Sequence, residues 1–250
     1  ILEDLDGGVN SLALRLDVGG AGAVDGVVIG GIDDVATLLD GVYLDLVSVV
    51  LEAGPHFAAA ADLLIEIWDR NGVSVDERRG NLGADPLGAL AAGGRLPGGL
   101  APTLSDAAEL AVSTAEWPYV QAIHVDTAPY VDAGASEAEE LAIMLAAGVE
   151  YLGALIDAGL PIDVAATQLA FTLSADADVF ATIAKLRAAR RLWGHALAAA
   201  GAADAAGAPL ATRTATRMMT VRDPWVNMLR TTAACFAAGA GGATTVTVQP

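Results

Sequence analysis

Cysteine, lysine and histidine are scarce in this 250-residue sequence, which contains one, one and three of them. The single cysteine, Cys235, excludes an internal disulfide and any metal cluster built from cysteines. Basic residues are also few, with 13 Lys and Arg against 31 Asp and Glu and a formal net charge of −18. Because such a surface repels phosphates and anionic lipids, neither a nucleic acid nor a membrane is an expected partner.

The sequence signatures of several common sites are missing. Neither of the standard Gly-rich phosphate loops occurs, and there is no Ser-centred nucleophile elbow. Residues 80–88 are rich in glycine but lack the lysine and the helix start that phosphate binding needs, so they are predicted to form a shaped loop. The spacing of His56, His124 and His195 does not indicate a metal site.

A long apolar segment is missing too. Residues 231–250 carry no charge, but glycines and threonines interrupt them, so a membrane span is not expected. No secretory signal is recognised, and the cytoplasm is therefore the expected location. Cys235 falls on the apolar side of a predicted helix, which favours a packed thiol over a nucleophile.

What is present is a regular alternation of strand and helix patterns. Seven strands are predicted, at 9–17, 46–51, 78–85 (a short strand and loop), 120–126, 167–173, the first half of 211–232, and 243–248. Six main helices are predicted between them, at 33–40, 57–70, 104–115, 136–158, 178–200 and 223–239. Strands separated by such helices require parallel pairing and right-handed crossovers. The pattern predicts an α/β fold, either a parallel (β/α)8 TIM barrel with seven strands present or a doubly wound open sheet.

Two helices have clear predicted starts and faces. Ser136 and Glu139 form a capping box for the helix over 136–158. Its predicted buried stripe is Leu141, Leu145, Val149, Leu152 and Ile156. The helix over 223–239 is predicted to begin with Asp223 as N-cap and Pro224 at its first position. Its predicted stripe is Val226, Leu229, Ala233, Phe236 and Ala237.

Three groups of polar residues are candidates for a site. His124 and Asp126 share a face of one predicted strand and could form a general base, but a hydrogen-bonded core pair is favoured. A second group consists of Arg213, Arg217, Arg222 and Arg230, which could recognise an anion such as a CoA phosphate. The alternative, salt bridges with carboxylates of the chain, is slightly favoured. A solvated helix face is predicted for Lys185, Arg187, Arg190 and Arg191.

Motifs along most of the chain resemble one known family. The motifs are Asp223-Pro224 with Asn227 and Arg230-Thr231-Thr232, the segment 134–161, and the segment 183–193. They resemble the substrate domain of the methylmalonyl-CoA mutases, which depend on adenosylcobalamin. The segments 5–12 and 40–45 resemble the small subunit of the two-subunit mutases.

The resemblance implies a barrel domain over residues 1–250, with an eighth strand and a cobalamin-binding-like domain in a longer protein. It implies a heterodimer with a large catalytic subunit that interconverts succinyl-CoA and methylmalonyl-CoA. Adenosylcobalamin would be bound mainly by that partner, and this chain is expected to hold no cofactor and no metal of its own.

The positions that contact substrate in catalytic subunits are altered here. The resemblance places Pro129 at the position of a catalytic histidine, and Gln168 and Ala170 at those of an Arg and a Ser that contact CoA. A His and a Gln on the sixth barrel strand correspond to Ala211 and Arg213, and a Gln-Asn pair before Asp85 corresponds to Gly83-Ala84. No catalytic residue is therefore assigned, because proline can neither donate a hydrogen bond nor carry a proton.

Two alternatives to a non-catalytic subunit stay open. The chain could be a divergent catalytic acyl-CoA mutase that binds its thioester through Arg213 and Arg217. It could also be a degenerate barrel that binds CoA as a regulatory ligand. Arg213 and Arg217 are the only candidate substrate-binding residues named.

Overall fold

The computed structural model describes residues 1–20, 22, 24–202, 205 and 207–249. Two compact units are present: Ile1–His124 with Asp157–Gly159, and Val125–Ile156 with Leu160–Pro250. We call them unit 1 and unit 2. The predicted loop over 198–208 includes residues 203, 204 and 206, which lie outside the described residues, and its first two residues belong to a helix.

Eight strands form one sheet: β1 Ser11–Val18, β2 Val27–Ile29, β3 Ser48–Glu52, β4 Gly80–Ala84, β5 Val120–Asp126, β6 Leu169–Ala175, β7 Leu210–Thr214 and β8 Thr245–Thr247. The strand order is β2-β1-β3-β4-β5-β6-β7-β8. The pairings of β1 with β3, β3 with β4, β4 with β5, β6 with β7 and β7 with β8 are parallel. Because the order from β3 to β8 follows the chain without reversing, it excludes the doubly wound alternative. The predicted class, an α/β parallel barrel topology with part of the barrel present, is confirmed.

Ten α-helices are described: α1 Leu2–Asp6, α2 Ile32–Leu38, α3 Phe57–Arg70, α4 Pro86–Gly93, α5 Leu100–Ser113, α6 Ala128–Asp132, α7 Glu137–Asp157, α8 Ile162–Thr167, α9 Val179–Ala199 and α10 Val226–Gly241. The glycine-rich residues 80–88, predicted to be a loop, form β4 and the start of α4. Asp85 is the N-cap of α4 and accepts from Gly88 N at 3.0 Å.

The strand β2 is not among the predicted strands; the Gly-rich residues 18–32 show no helical stripe and predict an irregular excursion. It pairs in parallel with the last residues of β1, Leu16 to Val18. Three residues are too few to show a strand periodicity in the sequence. The seven other strands are the predicted ones, with bounds shifted by a few residues.

A cluster of two tryptophans and an arginine lies in unit 1. The rings of Trp68 and Trp117 meet edge to face, with centroids 6.2 Å apart. The Arg78 guanidinium lies 4.7 Å from the Trp117 centroid, forms an ion pair with Asp69 and donates to Val73 O. This nearly buried arginine therefore has both an aromatic and an anionic partner, which offsets its desolvation.

The predicted capping box of α7 is confirmed. Glu139 accepts from Ser136 N at 2.8 Å and from the Ser136 hydroxyl at 2.7 Å, and that hydroxyl accepts from Glu139 N. The backbone N–H of Ser136, and then its hydroxyl, hold the pKa of Glu139 below its ordinary value. The contribution of this cap is therefore present above that ordinary pKa and is lost as the pH falls through the lowered one.

The buried face of α7 differs from the predicted stripe. It consists of Glu140, Met144, Ala147, Gly148, Tyr151, Leu152 and Leu155. Val149 and Ile156, predicted to be buried, are exposed. The face includes Gly148, which lies where a side chain would meet the Trp193 and Phe171 rings at 2.8 and 3.0 Å. These two rings pack edge to face with centroids 4.9 Å apart.

Lys185 is buried, so its predicted place on a solvated helix face is wrong. Its Nζ donates to Glu140 Oε2 at 2.5 Å, and the two side chains are 5% and 1% exposed. Glu140 Oε1 accepts from the Thr127 hydroxyl and from Ser174 N, both at 2.7 Å. These hydrogen bonds compensate for removing the two charges from water.

Arg190 is also engaged rather than only solvated. Its NH1 donates to Gly241 O at 2.9 Å, and its NH2 contacts Gly242 O, so it satisfies carbonyls at the end of α10. Arg187 and Arg191 are exposed, as predicted.

The helix α10 begins and faces differently from the prediction. Asp223 and Pro224 lie in the preceding turn, where Asp223 has a φ of 51°, and the helix starts at Val226. Asn227 fastens this turn by accepting from Thr220 N and donating to Thr220 O. The buried face is Ala234, Ala237, Ala238 and Gly241. The helix ends at Gly241, with Gly242 as its C-cap, rather than at Gly239.

The glycines of α7 provide a matched test of packing. We expect Gly148→Ala to destabilise the full-length protein by about 1–3 kcal/mol, since the added methyl group overlaps two packed rings. Gly153→Ala, in the same helix with open space around it, is expected to stabilise the protein by about 0.5–1 kcal/mol. Urea denaturation measures both free energies of unfolding. Equal effects of the two variants would contradict this packing.

The buried ion pair predicts strong coupling between its partners. Lys185→Met leaves the Glu140 carboxylate buried without its cation, so we expect a loss of about 3–5 kcal/mol in the free energy of unfolding. Adding Glu140→Gln removes the unpaired charge and keeps an acceptor for Thr127 and Ser174, so it should recover much of that loss. A double-mutant cycle by urea denaturation measures the coupling, and additive single effects would contradict the buried pair.

Candidate substrate-binding site

Arg213, a candidate substrate-binding residue, lies near the end of β7 and is 8% exposed. Its NH1 forms an ion pair with Asp126 Oδ2 at 3.2 Å, at the end of β5. Asp126 Oδ1 also accepts from Ala128 N at 2.9 Å, which fixes the turn after that strand. The arrangement is that of a buried arginine with a carboxylate partner, the salt-bridge alternative that the sequence slightly favoured.

Arg217, the second candidate, follows β7 in a short 3-10 turn. Its NH1 donates to Val131 O and to Ala135 O, both at 3.0 Å. The Thr216 hydroxyl contacts the Asp132 carboxylate beside them. The segment after β7 is therefore fastened to the segment after β5 by one guanidinium and one hydroxyl.

The remaining two arginines of this group lie in and after the turn that precedes α10. Arg230 NH1 donates to Asn227 Oδ1 at 3.0 Å, within the motif shared with the mutases. Arg222 is exposed in that turn. Substrate binding by Arg213 and Arg217 stays a prediction. Three of the four arginines form hydrogen bonds or ion pairs with other atoms of the protein.

Pro129 lies in the first turn of α6, the short helix that follows β5. A proline fits there because its missing N–H would have had no partner inside the helix. Its carbonyl accepts from Ala133 N at 3.3 Å. Pro129, which the resemblance aligns with a catalytic histidine, therefore stabilises the start of a helix.

The backbone at Gly83 has no room for a side chain. Gly83 has a φ of 76°, and a Cβ at this position would lie 2.2 Å from Leu51 O. Its N–H donates to Asn81 Oδ1 at 2.7 Å, in a part of β4 where the pairing register with β5 shifts. A glutamine cannot be accommodated there without rebuilding β4 against β3.

Gln168 and Ala170, at the start of β6, are buried. Gln168 is 1% exposed, and its Oε1 makes no hydrogen bond among the described residues. At these positions, which the resemblance aligns with an Arg and a Ser, the chain has one neutral amide and one methyl group. Neither supplies a charge for a CoA phosphate.

His124 is buried, and Asp126 two residues later holds Arg213 and the Ala128 amide. No group of three His, Cys, Asp or Glu side chains suited to a metal ion occurs within the described parts of the chain. His56 is half-buried and His195 exposed, on a 3-10 turn and on α9 respectively.

The contacts of Arg213 and Arg217 could not be found from the sequence. Their partners lie between 82 and 87 residues away along the chain. No local pattern indicates such pairs.

In the described residues, no helix is long and apolar enough to cross a membrane.

Comparisons with known proteins agree with one another. The family model of methylmalonyl-CoA mutase matches residues 14–250. The methylmalonyl-CoA mutase small subunit of Streptomyces virginiae is 49% identical over 251 residues, which cover 100% of this chain and 39% of that protein. The probable small subunit of Mycobacterium bovis is 39% identical over 256 residues, with 100% and 38% covered.

The probable large subunit of the Mycobacterium bovis mutase is also similar, at 30% identity over 228 residues, 90% of this chain and 30% of that protein. Among solved structures, fungal beta-1,4-galactanases match with a TM-score of 0.52 over 98% of this chain and 79% of theirs, at 12% identity. This last similarity concerns the fold alone.

The chain spans about two fifths of the length of the small subunits that it matches. The similarity runs along the whole chain, and the family match leaves out only its first 13 residues. The sequence motifs, the parallel strand order and these matches have one common explanation: the chain belongs to the methylmalonyl-CoA mutase family.

Proposed function

We propose that this chain is the barrel domain of the small, non-catalytic subunit of a heterodimeric methylmalonyl-CoA mutase. The small-subunit names of the relatives at 49% and 39% identity support the assignment to that subunit. The observation that carries the non-catalytic role is the structural use of the substrate-contacting positions. A side chain at position 83 would overlap Leu51 O, Pro129 lies in the first turn of a helix, and Arg213 forms an ion pair with Asp126.

The reaction of the complex is the interconversion of succinyl-CoA and methylmalonyl-CoA. Adenosylcobalamin, bound mainly by the large subunit, supplies the radical chemistry of this carbon-skeleton rearrangement. The residues of this chain bind neither cofactor nor substrate in the proposal. Their role is to present a stable barrel surface to the large subunit.

The proposal includes the organisation of the whole protein. Residues 1–250 form the acyl-CoA mutase-like barrel domain with its seven predicted strands, β1 and β3 to β8, and the rest of the small subunit provides the eighth barrel strand and a cobalamin-binding-like domain. The length of the relatives supports further domains, since this chain covers 39% of one of them. We place the complex in the cytoplasm, in keeping with a sequence that has one cysteine and cannot form an internal disulfide.

Copurification and turnover test this function. We expect the full-length small subunit to copurify with the large subunit, and the complex to isomerise succinyl-CoA when adenosylcobalamin is added. The isolated full-length small subunit should show neither turnover nor calorimetric binding of CoA. Turnover by the isolated subunit would show a divergent catalytic mutase, and micromolar CoA binding without turnover would show a CoA-binding module.

Restoring one catalytic residue should not restore a second active site. We expect Pro129→His in the full-length subunit to give no mutase activity without the large subunit, since Gly83, Gln168 and Ala170 still lack the groups that hold CoA. Positioning accounts for a large share of enzymatic rate enhancement, so a histidine without a held substrate contributes little. Pro129→Ala is the matched control for loss of the proline. Activity of the isolated Pro129→His subunit above that control would overturn the non-catalytic assignment.

A further inference from the structure

Exposed apolar side chains lie at one end of unit 1, where the chain enters β1 and β3. We define the entry patch as Leu2, Val9, Tyr43 and Leu46. These side chains are 49%, 45%, 73% and 70% exposed. An exposed apolar patch with a polar rim is typical of a surface that another protein covers.

Backbone contacts bring the later part of the patch together. Ser11 pairs with Ser48 at the start of β1 and β3, so Val9 and Leu46 enter neighbouring strands. The Tyr43 carbonyl accepts from Leu46 N at 3.0 Å, which puts these two residues on one turn.

The helix α1 supplies the other side of the patch. Val9 N donates to Asp4 O of this helix at 3.0 Å. Leu2 lies against the turn before β3, since a Cβ added at Gly41 would be 3.3 Å from its Cδ1. The entry patch is therefore one surface, made jointly by α1 and the segment 40–47.

The rim of the patch is acidic. Residues 1–10 and 40–47 include no Lys or Arg and have five carboxylates, on Glu3, Asp4, Asp6, Asp40 and Asp45. All five residues are exposed. An apolar centre with such a rim attracts a basic surface and repels an acidic one.

The patch also includes residues that distinguish small subunits. The family match begins at residue 14, after α1 and Val9, and the large-subunit relative aligns with 90% of the chain. The small subunits of Streptomyces virginiae and Mycobacterium bovis align with all of it. The segments 5–12 and 40–45, which resemble small subunits, both contribute to the patch or its rim. This distribution fits a task that belongs to small subunits, namely contact with a different, larger subunit.

We infer that the entry patch is a docking site for the large subunit, through a segment that carries Lys or Arg side chains around an apolar one. The apolar side chain packs against Tyr43 and Leu46, and the basic groups pair with the carboxylates of the rim. The inference rests on the heterodimer proposed above, and it adds the surface and the chemistry of the contact.

A second copy of this chain is a weaker occupant. A symmetric dimer brings the same patch of two molecules together, so that two acidic rims would face each other. Like charges that meet at an interface are unfavourable. The remaining alternative, another segment of the same polypeptide, would cover the patch already in the isolated small subunit.

Thiol labelling of the full-length small subunit tests the docking site. In a Cys235→Ser background, Leu46→Cys places a probe in the entry patch, and Phe180→Cys places a matched probe on α9, where Phe180 is 85% exposed. With N-ethylmaleimide and peptide mass spectrometry, we expect both probes to react at similar rates in the isolated subunit. Large subunit at about 100 times its Kd should slow the probe at 46 by about a hundredfold and leave the probe at 180 within about twofold.

Affinity for the immobilised large subunit provides a second measurement. Leu46→Asp should weaken binding by about thirtyfold or more, whereas Phe180→Asp should change it by less than about twofold. Asp40→Asn combined with Asp45→Asn should slow association and reduce its dependence on salt between about 50 and 300 mM NaCl. Urea denaturation of each variant verifies that it is folded.

The other outcomes overturn the inference. Protection of the probe at 46 in the isolated subunit would identify another segment of the same polypeptide, and protection that increases with its concentration would identify a second copy. Unchanged labelling at 46 in a copurified complex would refute this docking site and leave the heterodimer standing. Failure of the two full-length subunits to copurify would refute the heterodimer itself and this inference with it.

Discussion

The arrangement of unit 2 depends on one buried ion pair, Glu140 with Lys185. Burying two charges is unfavourable unless both find close partners, so the pair has a single acceptable geometry. One Glu140 carboxylate oxygen accepts from the Lys185 ammonium, and the other accepts from the Thr127 hydroxyl and the Ser174 amide. The pair therefore fixes α7 and α9 in register against β6 and the end of β5. The approach of Gly148 to Trp193 follows from the same register, since these residues lie on the same two helices.

This constraint also explains which helix faces could be predicted from the sequence. The alternation of strands and helices, the parallel fold class and the capping box at Ser136 follow local rules, and the structure confirms them. The buried faces of α7 and α10 do not follow a hydrophobic stripe. On α7 a glutamate and a glycine face inward while Val149 faces outward, and on α10 only alanines and glycine are buried. A pattern that equates burial with large apolar side chains assigns such helices to the wrong side.

The candidate site was less predictable than the fold because its contacts are long-range. Arg213 was recognised as a candidate from the sequence, but its partner Asp126 is 87 residues away. Arg217 donates to main-chain carbonyl oxygens. Because every residue has a carbonyl, the sequence does not indicate which ones are the acceptors. The closed backbone at Gly83 arises from the positive φ of that residue and its approach to Leu51 O on β3. The resemblance identifies the altered positions, whereas their contacts with other residues are visible only in the structure.

Gly83 and Arg213, two positions that the resemblance aligns with substrate contacts, take part in contacts within the chain. A single lost side chain could be restored by one substitution, but Gly83 is closed by main-chain atoms and Arg213 is held by a buried carboxylate. A side chain at position 83 would require rebuilding β4. Replacing Arg213 would leave Asp126 without its cation, which costs on the order of 3–5 kcal/mol for a buried pair. Both positions are thus held by contacts within the chain. The large apolar side chains of α10, among them Leu229 and Phe236, are exposed and can contact other molecules.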